Sequence, residues 1–274
     1  MSLEILKKYK IRAKKWLGQN FLVNEKIVED IAWIVDLTWE NILEVWPWYG
    51  ALTEKIIGKK PKSLTLVELD LDMIEILNDR IKNDDLNILD INFEIKNIDI
   101  LKYVPDYKNY YVIANIPYYI TSPILRHFLY NIENKPKKML ILMQKDVWEK
   151  IILWQNDNKK KNKSSVLSLF IAKKCYVKEA LFVAKENFIP APKIESSVML
   201  FESHNLYEKI DDEKFLKIIK IAFSESRKKM IKNLVKWGFE KEEILKIYSE
   251  LSLDENVRAD WINIETWCLL VEKL

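Results

Sequence analysis

The stretch Asn41-Ile42-Leu43-Glu44-Val45-Trp46-Pro47-Trp48-Tyr49-Gly50-Ala51-Leu52-Thr53 changes its period halfway along. Asn41–Val45 reads as a buried strand, and Ala51–Ile57 takes up helical spacing. Between them stand a proline and a glycine, the residues that punctuate turns. Strand, tight turn and helix form the opening unit of a parallel sheet. The pattern recurs downstream. Leu64–Leu69 is a second strand, followed by a helical stretch over Met73–Ile81. Ile91–Ile95, Tyr110–Ala114 and Met139–Met143 are three more strands. Tyr176–Val183 and Ser196–Phe201, joined by a proline-containing loop, are expected to close the sheet's edge. The expected fold is α/β, a mostly parallel seven-stranded sheet with helices on both faces.

From Asp211 onward the spacing is helical: Glu213–Phe223, Arg227–Lys236, Glu240–Leu251 and Ile264–Leu274. This predicts a small all-helical C-terminal domain over residues 206–274, after a larger domain over 1–205. The Lys/Asn-rich Asn156–Lys163 is the one low-complexity patch and reads as a loop.

The chain has 274 residues, 49% apolar and 31% charged, enough for one large domain and a smaller one. The sequence lacks an apolar run long enough to span a membrane and an N-terminal secretory segment, so a cytoplasmic protein is expected. Cys175 and Cys268 lack metal-ligand spacing, and His127 and His204 make no motif. Neither a metal site nor a histidine-based catalytic centre is expected. Net charge is only +3, but three basic clusters stand out. They are Lys7, Lys8, Lys10, Arg12, Lys14 and Lys15; Lys159, Lys160, Lys161 and Lys163; and Arg227, Lys228, Lys229 and Lys232. One such cluster is what a solvated face looks like; three favour a phosphate-bearing partner. No heptad or apolar stripe requires a second subunit, so a monomer is expected.

In an open α/β sheet, ligands sit outside the carboxyl ends of the strands. There the sequence places a tight turn at residues 46–50, Glu68 after the second strand, and Asp99 after the third. Each acid alone reads as a helix cap or surface charge. Together, and in this order, they suit the ribose and amino groups of an adenosyl ligand. The fourth strand ends in Asn115-Ile116-Pro117-Tyr118. Pro117 fixes the backbone and removes a donor, leaving the Asn115 side chain and a main-chain carbonyl free to accept hydrogen bonds from an amine. Tyr118 offers a flat face to a base. The exocyclic amine of adenine is a poor nucleophile because its lone pair is delocalised. Fixed acceptors for both N–H groups localise that pair, and orientation supplies the rest. Phe188, in a loop held by Pro190 and Pro192, has the setting of a residue that stacks on an extruded base. It equally suits a Phe that plugs the core.

These residues resemble, over nearly the whole chain, the KsgA-like small-subunit ribosomal RNA adenine N6,N6-dimethyltransferases. The resemblance rests on Leu17–Leu22, the Glu44–Thr53 loop, Glu68, Asp99, Asn115–Tyr118 and Phe188–Val198. It continues through Phe223–Leu234 and Val257–Asp260. It implies a Rossmann-like class I methyltransferase that uses S-adenosylmethionine. Gln19, Asn20 and Leu22 would line the cofactor pocket. The loop with Trp46 and Gly50 would face the methionine end, Glu68 the ribose and Asp99 the adenine. Asn115, Pro117 and Tyr118 would hold the target amine, and Phe188 would stack on the base. The implied substrate is two adjacent adenosines near the 3′ end of small-subunit (16S) rRNA in an assembling 30S particle. Three alternatives stay open. They are a large-subunit rRNA methyltransferase of the antibiotic-resistance type, a non-catalytic assembly or RNA-binding factor, and a DNA adenine methyltransferase.

One departure bears on activity. The family's loop reads Glu-Val-Gly-Pro-Gly-x-Gly, whereas Trp46 and Trp48 hold the first two glycine places here. The chain has ten Trp and four Gly, where about 7% Gly is ordinary. Trp16, Trp33, Trp39, Trp148, Trp154, Trp237 and Trp261 also stand where a small residue is expected, and only Trp267 reads as a core tryptophan. Misread glycines, from a gene whose UGA codons mean glycine, would give the excess and the shortage one cause. Genuine tryptophans would instead favour the non-catalytic reading.

Overall fold

A computed structural model describes residues 2–152 and 163–274, the side chains of Lys15, Tyr118 and Ile152 excepted. Trp154 and the lysines at 159, 160 and 161 lie outside the described residues. The chain packs as two compact units, Met1–Trp148 with Lys178–Glu202, and Glu149–Val177 with Ser203–Leu274.

The first unit begins with helix α1 (Ser2–Lys8) and a two-residue strand β1 (Phe21–Leu22), followed by α2 (Glu25–Trp33). Then come β2 (Asn41–Val45), α3 (Ala51–Ile57), β3 (Ser63–Glu68), α4 (Leu71–Lys82), β4 (Asn92–Asn97), β5 (Tyr110–Asn115), α5 (Thr121–Arg126), β6 (Lys138–Gln144) and α6 (Lys145–Ile152). The strands β7 (Cys175–Val183), β8 (Phe188–Ile189) and β9 (Ser196–Ser203) follow later in the chain. The main sheet runs β4-β3-β2-β5-β6-β9-β7. Its first five strands are parallel, and β9 joins β6 antiparallel. The direction of winding reverses between β2 and β5, so the carboxyl ends of these two strands flank the switch point.

Burial explains the strand patterns. Every residue of β3 is buried, and so are all but the first of β2, as expected where helices cover both faces of a parallel sheet. At the edge, β4 alternates between exposed and half-buried residues and carries Glu94 and Lys96, charges that discourage pairing with another chain. The helices are capped by their own side chains. Asn24 accepts from the N–H groups of Lys26 and Ile27 at the head of α2, and Asp70 from Asp72 at the head of α4. Along α4, Met73, Leu77 and Arg80 fall at helical spacing on the buried face.

The second unit holds α7 (Val166–Ala172), α8 (Asp212–Ala222), α9 (Met230–Lys236), α10 (Lys241–Glu250) and α11 (Ile264–Lys273). Phe215, Ile219, Met230, Leu234, Tyr248 and Trp267 are central to its core. Lys173 is buried there and ion-paired with Asp212. The helix expected over Arg227–Lys236 starts only at Met230. The segment before it turns back on itself, because buried Asn233 donates to the carbonyls of Ala222 (2.6 Å) and Glu225 (3.3 Å). The Met230 N–H donates to Val257 instead of to a helical partner. Both cysteines are buried, and the two histidines bond the main-chain carbonyls of Tyr103 and Ala172.

Candidate active site

The loop after β2 is held from three sides. Pro47 to Gly50 closes as a turn, with the Gly50 N–H donating to the Pro47 carbonyl at 2.9 Å. Gly50 sits at φ +86°, and a Cβ there would lie 2.8 Å from Leu77 and 3.0 Å from Arg80, so only glycine fits. Arg80, buried on α4, donates to the Tyr49 carbonyl at 2.7 Å and pairs with Glu54 at 3.0 Å. The Tyr49 hydroxyl reaches the Leu22 carbonyl at 2.8 Å and ties the loop to β1.

Glu68, at the carboxyl end of β3, is buried. It accepts from the N–H groups of Leu69 (2.8 Å) and Asp70 (2.9 Å), and more distantly from that of Trp48 (3.4 Å). Burial pushes its carboxyl up to about 7, against the pull of these N–H donors. Asp70 in turn binds the Gln19 amide at 3.0 Å and the Lys14 ammonium at 2.7 Å. Gln19 also accepts from the Lys14 N–H, so the basic N-terminal segment is fastened to the ends of β3 and α4. Asn20 bonds the Gly18 carbonyl, and Leu22 is buried in the core. Asp99 caps the short turn after β4, accepting from Leu101 at 3.0 Å. Asn97 donates to the Glu68 carbonyl and sets the spacing between the two strand ends.

Asn115 ends β5 and Pro117 lies buried just beyond it, at the other side of the switch point. A Cβ on Gly18, at φ +63°, would lie 3.3 Å from the Pro117 ring, so Gly18 brings the N-terminal segment close to this motif. The Tyr118 side chain lies outside the described residues. Phe188 is only 2% exposed. It sits on β8 opposite Leu22 and packs in the core, so its ring is not presented to solvent.

Sequence reasoning passed over Glu44. This β2 residue is buried, and its Oε2 has no hydrogen-bond partner among the described residues. Burial, with Glu68 nearby, pushes its carboxyl up to about 8. It borders a cavity of about 30 Å³ together with Trp46, Pro47, Trp48, Ala114 and Asn115. The available signal was an acid inside a run that otherwise reads as a buried strand.

The polar groups here suit an adenosyl ligand with a cationic end: a buried acid with one unpartnered oxygen, acids at or just past the ends of β3 and β4, and acceptors at the end of β5. The loop side chains do not suit it. Trp46 and Trp48 are buried in the loop. The Trp48 indole N–H donates to the Asn115 carbonyl at 3.0 Å, and its ring meets Phe21 edge-on at 5.7 Å. The indole therefore spans the gap between the ends of β2 and β5. Trp46 and Trp48 also adopt φ +57° and +56°. That left-handed backbone costs a residue with a Cβ roughly 1–2 kcal/mol.

Comparison with known proteins agrees with this geometry. The family described as ribosomal RNA adenine dimethylase matches residues 10–274. Ribosomal RNA small subunit methyltransferase A of Mycoplasma mobile is 38% identical over 262 residues, covering 95% of this chain and 98% of that protein. The protein of the same name from Prochlorococcus marinus (strain MIT 9301) is 36% identical over 278 residues, covering 94% of each. Among solved structures, a dimethyladenosine transferase from Plasmodium falciparum superposes with a TM-score of 0.77 at 21% identity, covering 91% of this chain and 95% of that one. The 23S rRNA methyltransferase ErmE superposes with a TM-score of 0.72 at 20% identity, covering 93% and 99%. These two likenesses bear on the fold, a class I methyltransferase sheet with a helical C-terminal part. A match through both units, carried by relatives at this identity, means that the chain belongs to the ribosomal RNA adenine dimethylase family.

Proposed function

We propose that this protein methylates the N6 amine of two adjacent adenosines near the 3′ end of small-subunit (16S) rRNA, in an assembling 30S particle. S-adenosylmethionine is the methyl donor that family membership implies. The observation that carries the reading is the placement of Asn115-Ile116-Pro117 at the carboxyl end of β5, across the switch point from the β2 loop. The main-chain carbonyl of Asn115 already accepts an N–H donor from within the site, the Trp48 indole.

The roles follow from this placement. Asn115 and a neighbouring main-chain carbonyl accept from the target amine, localising its lone pair and fixing its direction of attack. Pro117 holds those acceptors rigid, and Tyr118 faces the base. Gln19, Asn20 and Leu22 border the donor, with Glu68 at its ribose and Asp99 at its adenine. Glu44 is the partner for a cationic end. Phe188 serves as a stacking residue only if its ring is uncovered when the base enters. The α/β domain (1–205) carries the transfer. The basic residues of the N-terminal segment and those between α8 and α9 meet RNA phosphates, with the helical domain (206–274) assisting. The protein acts in the cytoplasm as a monomer, without a metal. The large-subunit, assembly-factor and DNA readings have no supporting observation of their own apart from the two loop indoles.

The test is methyl transfer from radiolabelled S-adenosylmethionine to under-methylated 30S particles by the protein purified from its own cells, with 50S particles and DNA as controls. Dimethyladenosine in 16S rRNA is the expected product. Labelling of 23S rRNA or DNA alone sinks the reading.

A further inference from the structure

The two loop indoles belong to a wider pattern. Eight non-glycine residues adopt left-handed φ among the described residues, and three of them are tryptophan: Trp39, Trp46 and Trp48. Three of the four glycines, Gly18, Gly50 and Gly238, share that conformation. Asn and Asp enter it readily, but a bulky aromatic residue there is a true outlier. These tryptophans therefore sit on a backbone shaped for glycine.

Exposure gives a second, independent sign. Trp is among the side chains most buried on average. Here Trp16 is 77% exposed, Trp33 69%, Trp39 77%, Trp237 61% and Trp261 55%. Five indoles lie on the surface, while among the described tryptophans Trp267 alone is fully buried, in the core of the helical unit. Trp46 and Trp48 are buried, but they lie in the ligand loop. Surface, loop and core thus hold eight of the nine described tryptophans, half-buried Trp148 being the ninth, and of the eight only Trp267 sits in a core.

We propose that the protein made in its own cell carries glycine at positions 16, 33, 39, 46, 48, 237 and 261, because its gene is decoded with UGA as glycine. The consequence for the site is direct. Glycine at 46 and 48 removes both indoles from the loop and relieves the left-handed strain. It also frees the Asn115 carbonyl from Trp48, leaving it open to a substrate amine. Glu44 then borders a cavity cleared of both indoles, which suits close approach of the methionine end of S-adenosylmethionine to the loop backbone. This consequence rests on the function proposed above; the identity of the residues does not.

Two measurements decide it. The codons for these seven positions are read from the gene, and the protein purified from its own cells is sequenced by mass spectrometry. TGA codons and glycine-containing peptides are expected, with tryptophan retained at Trp267 from a TGG codon. TGG codons throughout, or tryptophan at 46 and 48 in the native peptides, overturn the proposal. Calorimetry with S-adenosylmethionine then compares the chain as written with W46G/W48G. Micromolar binding by the double variant and none by the parent is expected, and equal binding by both overturns the claim that the indoles block the site. The two readings fail separately. Glycine in the native protein without methylation of 16S rRNA removes the function and leaves the recoding. Methylation by a native protein that contains the tryptophans does the reverse.

Discussion

Glu44 and Glu68 are carboxyls whose protons the fold retains toward neutral pH. Each would ionise near its ordinary value of 4.5 in the unfolded chain, while burial raises Glu44 to about 8 and Glu68 to about 7. The native state therefore binds more protons across that window, and stability falls as pH rises from about 4.5 to about 8. Urea unfolding at pH 5 and pH 8 should show a loss of at least about 1 kcal/mol. Glu44→Gln should flatten the part of the curve above pH 7, and an unchanged slope would mean that Glu44 is not the buried acid described here. With glycine at 46 and 48 as the parent, Asn115→Ala should abolish methyl transfer while leaving RNA binding by filter retention largely intact. Turnover at the parent rate would remove the proposed role of its amide. Arg80→Met strips a buried cation from the Tyr49 carbonyl and Glu54. It should cost about 3 kcal/mol in denaturant unfolding.

At the scale of elements, strands were easier to read than their ends. Asn41–Val45 and Ala51–Ile57 match β2 and α3 to the residue, because an uninterrupted buried run and a turn leave no other choice. The start of α9 was legible only in three dimensions. Arg227, Lys228 and Lys229 have helical propensity, yet Asn233 captures two carbonyls of that segment and holds it as a turn. Asn233→Ala leaves the buried Ala222 carbonyl and the partly buried Glu225 carbonyl without their donor and should destabilise the helical unit by about 1–3 kcal/mol. Hydrogen exchange at α8 and α9 would check this, and protection equal to the parent would contradict it. The β1–β8 pair joins residues far apart in the chain, Phe21 with Ile189 and Leu22 with Phe188, and each strand is too short to show a period.

At the scale of the whole molecule, α7 packs with the C-terminal helices although it precedes the last strands of the sheet. Leu169 and Ala172 lie in the same core as Phe215 and Leu234. A chain ending at residue 205 would leave that helix without its partners, exposing Leu169 and Ala172, both buried in the full chain. Such a truncation should aggregate on size-exclusion chromatography, whereas the intact chain elutes as one species. A monodisperse fragment would show that α7 does not need the C-terminal helices.

The sequence by itself determined the sheet, its helical appendix and the family, because buried strands, turn residues and motif order are local properties. It also placed Glu68 and Asn115 at strand ends and Asp99 just past one, all on the carboxyl side of the sheet. Tertiary structure alone decided that Glu44 is a buried acid with an unpartnered oxygen and that Phe188 is packed away, since burial depends on what other elements cover. It alone decided that three tryptophans occupy left-handed backbone. Composition can show that tryptophan is in excess, but φ and exposure are set by packing, and they tell which tryptophans stand in the places of glycine.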